Sequence, residues 1–133
     1  MGWIETRDAR LWVEVDGEGD PVTVVAHGLT NNRLELAMLT PFMPGTKVRF
    51  DFRGHGRSSA PEDPGAFRFA DFARDLDAVA RKHHGCRRVL LDQRRPGDAL
   101  PGDQIRALVH RSIDVAVRIR PPPAPILLAP ATT

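Results

Sequence analysis

A chain of 133 residues, 41% apolar and 27% charged, with a net charge of +2, can build one core of modest size and at most one globular domain. Its 19 Lys and Arg nearly balance 17 Asp and Glu, and they form no long block of one sign, which excludes a nucleic-acid footprint. A single cysteine, Cys86, excludes an internal disulfide framework; the charged start and the lack of a long apolar stretch exclude a secretory leader and a bilayer span, so a cytoplasmic protein is expected.

Ala9 to Val15 alternates around Leu11, Val13 and Val15, the period of a strand with one buried face. Asp16-Gly17-Glu18-Gly19-Asp20-Pro21 is a turn cluster, so a hairpin from this strand into Val22 to Ala26 is expected. The second segment is a continuous Val-rich apolar run, which suits a strand covered on both faces in a parallel sheet. Leu34 to Met43 reads as a short helix, and Lys47 to Asp51 as the next strand. Phe69, Phe72, Ala73, Leu76, Val79 and Ala80 then recur at spacings of three and four, which is one helix face. Asp71 and Asp75 near its start and Arg81 and Lys82 near its end suit the helix dipole, with Gly85 as the stop. Arg88 to Leu91 starts a further strand. The order β-β-β-α-β-α-β predicts an α/β fold: an N-terminal β-hairpin followed by a parallel βαβαβ sheet with right-handed crossovers.

Composition changes sharply after Leu91. Residues 92–133 hold seven of the 12 prolines and six arginines but no lysine, glutamate, Phe or Trp; both Trp and all six Phe lie in residues 1–91. Two parts are therefore expected: residues 1–91 as the folded part, and residues 92–133 as an Arg- and Pro-rich tail, irregular, disordered or weakly helical. Arg120-Pro121-Pro122-Pro123-Ala124-Pro125 favours polyproline II, because proline fixes its own φ and donates no backbone hydrogen bond.

The residues with most chemical information are His27-Gly28-Leu29, directly after the apolar run, and Asp51-Phe52-Arg53-Gly54-His55-Gly56-Arg57-Ser58, after the next strand. An apolar strand ending in His-Gly puts backbone donors at the carboxyl edge of a sheet, where open α/β folds gather ligands. In these two motifs, and in the helix and strand that follow, residues 1–91 resemble the N-terminal half of the α/β-hydrolase fold family. The resemblance implies that His27, Gly28 and Leu29 form the oxyanion and substrate-binding turn, with the Leu29 amide facing the developing charge. It gives Asp51, Arg53, Gly54, Gly56 and Ser58 an architectural role as a structural loop. Read without the resemblance, His27 is a turn histidine bonded to neighbouring backbone.

The same resemblance implies hydrolysis of a small ester, amide or related acyl substrate by a serine at a Gly-x-Ser-x-Gly elbow, with a later acid and histidine. No catalytic residue of that kind is recognisable. Where the elbow is due the chain reads Asp92-Gln93-Arg94-Arg95-Pro96-Gly97, without a hydroxyl and with Pro96 where a helix would begin. Codons for Asp-Gln-Arg-Arg read one base later can spell Thr-Ser-Val-Gly or Thr-Ser-Ala-Gly, so an out-of-frame origin is expected for residues 92–133. A truncated, inactive hydrolase relative is the leading expectation, and a non-catalytic binding or interaction module is the alternative.

The remaining candidates read more simply as structure. His83 and His84 close a helix, without the ligand cluster a metal needs. His110 and Asp114 are spaced like a base and its orienter on a helix but have no nucleophile beside them. Cys86 enters a buried strand as a small packed side chain, and Phe67, Phe69 and Phe72 read as core. No cofactor and no metal are expected. The expected partners are a small-molecule substrate in the intact ancestor and a second copy at an exposed sheet edge, with neither nucleic acid nor membrane.

Overall fold

A computed structural model describes residues 1–28, 32–83, 86–93 and 114–119. Six strands form one sheet: β1 (Gly2–Glu5), β2 (Arg10–Asp16), β3 (Val22–Ala26), β4 (Thr46–Phe50), β5 (Cys86–Gln93) and β6 (Asp114–Ile119), in the spatial order β1-β2-β4-β3-β5-β6. One α-helix, α1 (Phe69–Lys82), and short 3-10 helices at Arg33–Met38, Thr40–Phe42 and Pro64–Ala66 complete the described elements. The α/β class and the parallel core expected from the sequence are present, since β3 runs parallel to both β4 and β5.

The N-terminal hairpin is present, with a different partner. Strand β2 pairs antiparallel with β1, Trp3 opposite Trp12, through the turn in which the Thr6 amide donates to the Ala9 carbonyl. It does not pair with β3: its other neighbour is β4, Val13 opposite Phe50. The Asp16 to Pro21 cluster therefore carries the chain past one strand position instead of closing a two-stranded turn. Strand β6, inside the stretch read as an Arg- and Pro-rich tail, pairs parallel with β5.

Alternation along each strand decides which face it offers to which layer. Leu11 and Val13 of β2, Val24 and Ala26 of β3, Val48 and Phe50 of β4 and Val89 of β5 meet Phe72, Ala73, Leu76 and Val79 of α1 in the core. At about 1.5–3 kcal/mol for each large side chain removed from water, this layer supplies most of the driving force. Alternate residues turn the other way. There Glu14 of β2, Arg49 of β4 and Arg33 of the first 3-10 helix form ion pairs.

The first 3-10 helix, after β3, thus lies on one face of the sheet, and the chain leaving β4 reaches α1 on the other. The carboxyl ends of parallel strands are where open α/β sheets place a ligand. The residues at those ends are His27 and Gly28 after β3, and Asp51 to Ser59 after β4.

Helix α1 keeps the predicted face from Phe72 to Ala80, without Phe69, and extends to Lys82. Of the three clustered phenylalanines, Phe72 alone joins the core. Phe67 and Phe69 are 38% and 49% exposed, because they flank the helix start instead of facing the sheet. The segment read as a helix from Leu34 to Met43 is two 3-10 turns, divided at Leu39 just before Thr40-Pro41. Proline at the start of a turn is tolerated, whereas inside a continuous helix it would remove a backbone bond. No helix among the described residues is long and apolar enough to cross a membrane.

Candidate functional site

His27 lies buried at the end of β3, with both ring nitrogens engaged by backbone. Its Nδ1 lies within hydrogen-bond distance of the Gly28 carbonyl, and its Nε2 accepts the Phe52 amide at 3.0 Å. An amide can only donate, so Nε2 carries no proton, and Nδ1 is the protonated nitrogen that donates to the carbonyl. Burial pushes the His27 pKa down to about 4; repulsion from His55 acts the same way, while the Gly28 bond and the Asp51 charge oppose it. At neutral pH His27 is an uncharged clasp between the two loops, not a free base.

Asp51 is the second strut. Its carboxylate is fully buried and accepts the Arg33 backbone amide at 2.7 Å, the Arg33 guanidinium at 2.7 Å and the Arg57 amide at 3.0 Å. Arg33 also donates through Nε to Glu14 at 2.6 Å. The carboxylate therefore ties the loop after β4 to the 3-10 helix that follows β3, and Glu14 extends the network to β2. Gly56 has φ +48, and a Cβ there would lie 2.3 Å from an Asp51 carboxylate oxygen. The turn needs glycine on both counts.

Arg53, 1% exposed, uses all five of its guanidinium N–H groups. Nε and Nη2 reach Asp75 at 2.9 and 2.7 Å, Nη1 and Nη2 reach Asp8 at 2.9 and 3.0 Å, and Nη1 also reaches the Ala66 carbonyl at 2.9 Å. Burial works against the charge, yet the bonds to Asp75 and Asp8 outweigh it and hold the guanidinium more firmly protonated than usual. Burial pushes the Asp75 carboxyl up, and three N–H donors from Arg53 converge on it and oppose that shift. The bridge joins the loop after β4, the first turn of the chain and the middle of α1.

Ser58 and Ser59 close the loop against β2. Ser58 Oγ donates to the Asp51 carbonyl at 2.6 Å and accepts the Trp12 amide at 2.9 Å, while Ser59 Oγ accepts the Arg10 amide at 2.8 Å. Arg57 stacks on the Trp12 ring, 3.9 Å from its centroid, within cation–π range. The His55 ring lies 5.1 Å from that of His27, and its Nδ1 sits 2.9 Å from the Arg53 carbonyl.

The structure thus brings together His27, Gly28, Asp51, Arg53, Gly54, Gly56 and Ser58 along one sheet edge, and Leu29 lies outside the described residues. Sequence reading did not single out Arg33, Glu14 or Asp8, and it took Asp75 as a helix-dipole acid. The Phe69–Ala80 stripe gave no signal that Asp75, beside it, faces a buried arginine. Asp71 does serve the helix start, accepting the Arg68 amide at 2.9 Å.

Among the weaker candidates, Asp114 opens strand β6 instead of sitting on a helix, and His110 lies outside the described residues. Cys86 opens β5 against the core, and burial raises its thiol pKa, as a packed side chain requires. His83 follows α1 directly; His84 and Gly85 lie outside the described residues. Among the described residues no group of three or more His, Cys, Asp or Glu is placed to hold a metal.

Comparison with known proteins agrees with this architecture. Residues 46–91 match the profile of the family described as alpha/beta hydrolase fold. The protein named "Probable oxidoreductase EphD" of Mycobacterium tuberculosis is 31% identical over 104 residues, 76% of this chain and 15% of that protein; the chain therefore spans a small part of the curated relatives it matches. A Pseudomonas aeruginosa structure titled a "putative epoxide hydrolase" superposes with TM-score 0.57 at 28% identity, over 68% of this chain and 30% of that one. An esterase from Exiguobacterium antarcticum superposes with TM-score 0.60 at 24% identity, over 70% of this chain and 35% of that one, a likeness of fold. The N-terminal part of the chain is a partial α/β-hydrolase fold.

Proposed function

We propose that the chain carries the anion-stabilising side of a serine-type α/β-hydrolase site for a small ester, amide or related acyl substrate, and that the chain as written does not complete the reaction. In this reading Gly28 lets the backbone approach the substrate carbonyl, the Leu29 amide donates to the developing oxyanion, and the clasp and struts described above hold that edge in place. The loop from Asp51 to Ser58 is architecture. Its setting is a reducing one such as the cytoplasm, where the lone Cys86 stays a thiol.

One observation carries the absence of turnover. Strand β5 runs on through Asp92 and Gln93, and the sequence then reads Arg94-Arg95-Pro96-Gly97, with no hydroxyl directly after the strand, where a Gly-x-Ser-x-Gly elbow would supply one. Ser58 and Ser59 do not substitute for it, because both hydroxyls are held by backbone groups of β2 and its neighbouring loop, and the Nδ1 of nearby His55 faces a carbonyl. Proteins of this fold include ones titled epoxide hydrolase and esterase, and the identity of the nucleophile is one of the features that separate such chemistries. Short-chain nitrophenyl esters incubated with the purified full chain are expected to hydrolyse at the buffer rate. Saturable hydrolysis above buffer would contradict the proposal.

A second reading, a non-catalytic binding module that also self-associates, draws on exposed apolar side chains. Phe42 and Leu34 on the 3-10 turns are 86% and 60% exposed, and Met1 and Trp3 at edge strand β1 are 90% and 40% exposed. Sedimentation as a monomer across all concentrations would dismiss the self-associating form.

A further inference from the structure

Both ring nitrogens of His27 are spent on holding two loops together, one as donor and one as acceptor, and this has a consequence for acid. A second ring proton must go onto Nε2, where it would point at the Phe52 N–H. Two donors cannot face each other, so the protonated ring has to leave this position or the Phe52 amide has to turn away. The clasp can be closed in one protonation state only.

We propose that His27 is an acid-sensitive latch: taking up a proton at Nε2 releases the loop after β4 from the end of β3. The inference goes beyond the functional reading and does not depend on it, since it concerns the loops and not turnover.

The surroundings make this latch specific. From the loop after β4 the titratable groups acting on His27 are His55, with its ring centroid at 5.1 Å, and Asp51. Asp51 is already committed to Arg33, from the 3-10 helix that follows β3, and to the Arg57 amide, so it is not free to pair with a new imidazolium. Phe52 packs edge-on against His27 at 5.1 Å, and from α1 Phe72 packs on Phe52 and His55. Among the described residues the ring thus gains no counter-ion when it charges, and burial disfavours the charge.

The sign follows from linkage. The ring titrates near 6.5 when released and near 4 when clasped, so the open state binds more protons between those values. The closed state is fully favoured above the upper value and loses about tenfold in its equilibrium for each pH unit below it, until the lower value is reached.

Hydrogen exchange at single amides of the 15N-labelled full chain tests the latch. After correction for the intrinsic exchange rate, protection of the Phe52 amide is expected to fall about fortyfold between pH 6.5 and pH 4.5. The amides of Val24 and Val48, inside the sheet, should change far less. Loss of protection at all three together would mean acid unfolding of the whole domain and would overturn the proposal, as would a Phe52 amide indifferent to pH. A His27→Gln variant, with an uncharged acceptor at this position, should keep Phe52 protection level over the same range; a fall like that of the parent chain would overturn it equally. Imidazole nitrogen shifts of the parent chain at neutral pH give an independent check: they must report a proton on Nδ1, and a proton on Nε2 ends the idea.

Discussion

Replacing Arg53 by Met is expected to cost about 3–5 kcal/mol of folding stability, a large share of the 5–15 kcal/mol typical of a small domain. Asp75, with 0% exposure, faces Arg53 with both oxygens, and no other described side chain donates to it. Without the guanidinium, a buried carboxylate has lost its counter-charge and two of its three donors. It must then stay charged at high cost or take up a proton. Arg53→Lys is expected to recover little, because an ammonium cannot bond Asp75, Asp8 and the Ala66 carbonyl at once in the fork the loops require. Asp8→Asn should be mild, near 1 kcal/mol or less, since that carboxylate is 41% exposed and water replaces the lost charge. The double variant Arg53→Met, Asp75→Asn should be more stable than Arg53→Met alone. Urea unfolding of the four variants checks this order, and a mild Arg53→Met would show that the bridge is not holding the loop.

Gly56→Ala is expected to be the next most damaging change, at about 3 kcal/mol. A methyl group there meets the Asp51 carboxylate at 2.3 Å, and the φ of +48 is one that alanine adopts at a cost of about 1–2 kcal/mol. The carboxylate has no room to move, because it is pinned by Arg33 and by the Arg57 amide. Displacing it loosens both loops at the carboxyl ends of β3 and β4. Gly19→Ala is the control: Gly19 has a similar φ of +74, but nothing lies within 4 Å of the added carbon, so it should show the backbone cost alone, about 1–2 kcal/mol. Equal losses in the two variants, measured by thermal unfolding, would show that the Asp51 clash carries no weight.

Much of the scaffold was legible because its signals are local. The Val22 to Ala26 run, the helical spacing from Phe69 to Ala80 and the glycines around His55 each speak for their own segment, and the corresponding elements formed there. What stayed hidden is pairing across long sequence separations. Arg33 meets Asp51 18 residues away and Glu14 19 residues away, and Arg53 meets Asp8 across 45 residues. Nothing in the residues around Arg33 distinguishes it from a solvated helix-start arginine. The hairpin partner failed for a related reason: a turn cluster shows that the chain reverses or bends, while the partner of β2 is set by β4 inserting beside it. His27 was readable as a residue of interest, but its tautomer depends on the Phe52 amide, contributed by another strand.

The central proposal is that the loops described are those of a hydrolase site while the sequence directly after β5, Arg94-Arg95-Pro96-Gly97, supplies no attacking hydroxyl. Intact-mass analysis of the native full chain after incubation with a fluorophosphonate tests this most directly, because such a probe forms a lasting bond only with an activated serine. The account predicts an unchanged mass. A stoichiometric adduct on a serine of the folded chain, absent after denaturation before labelling, would contradict it.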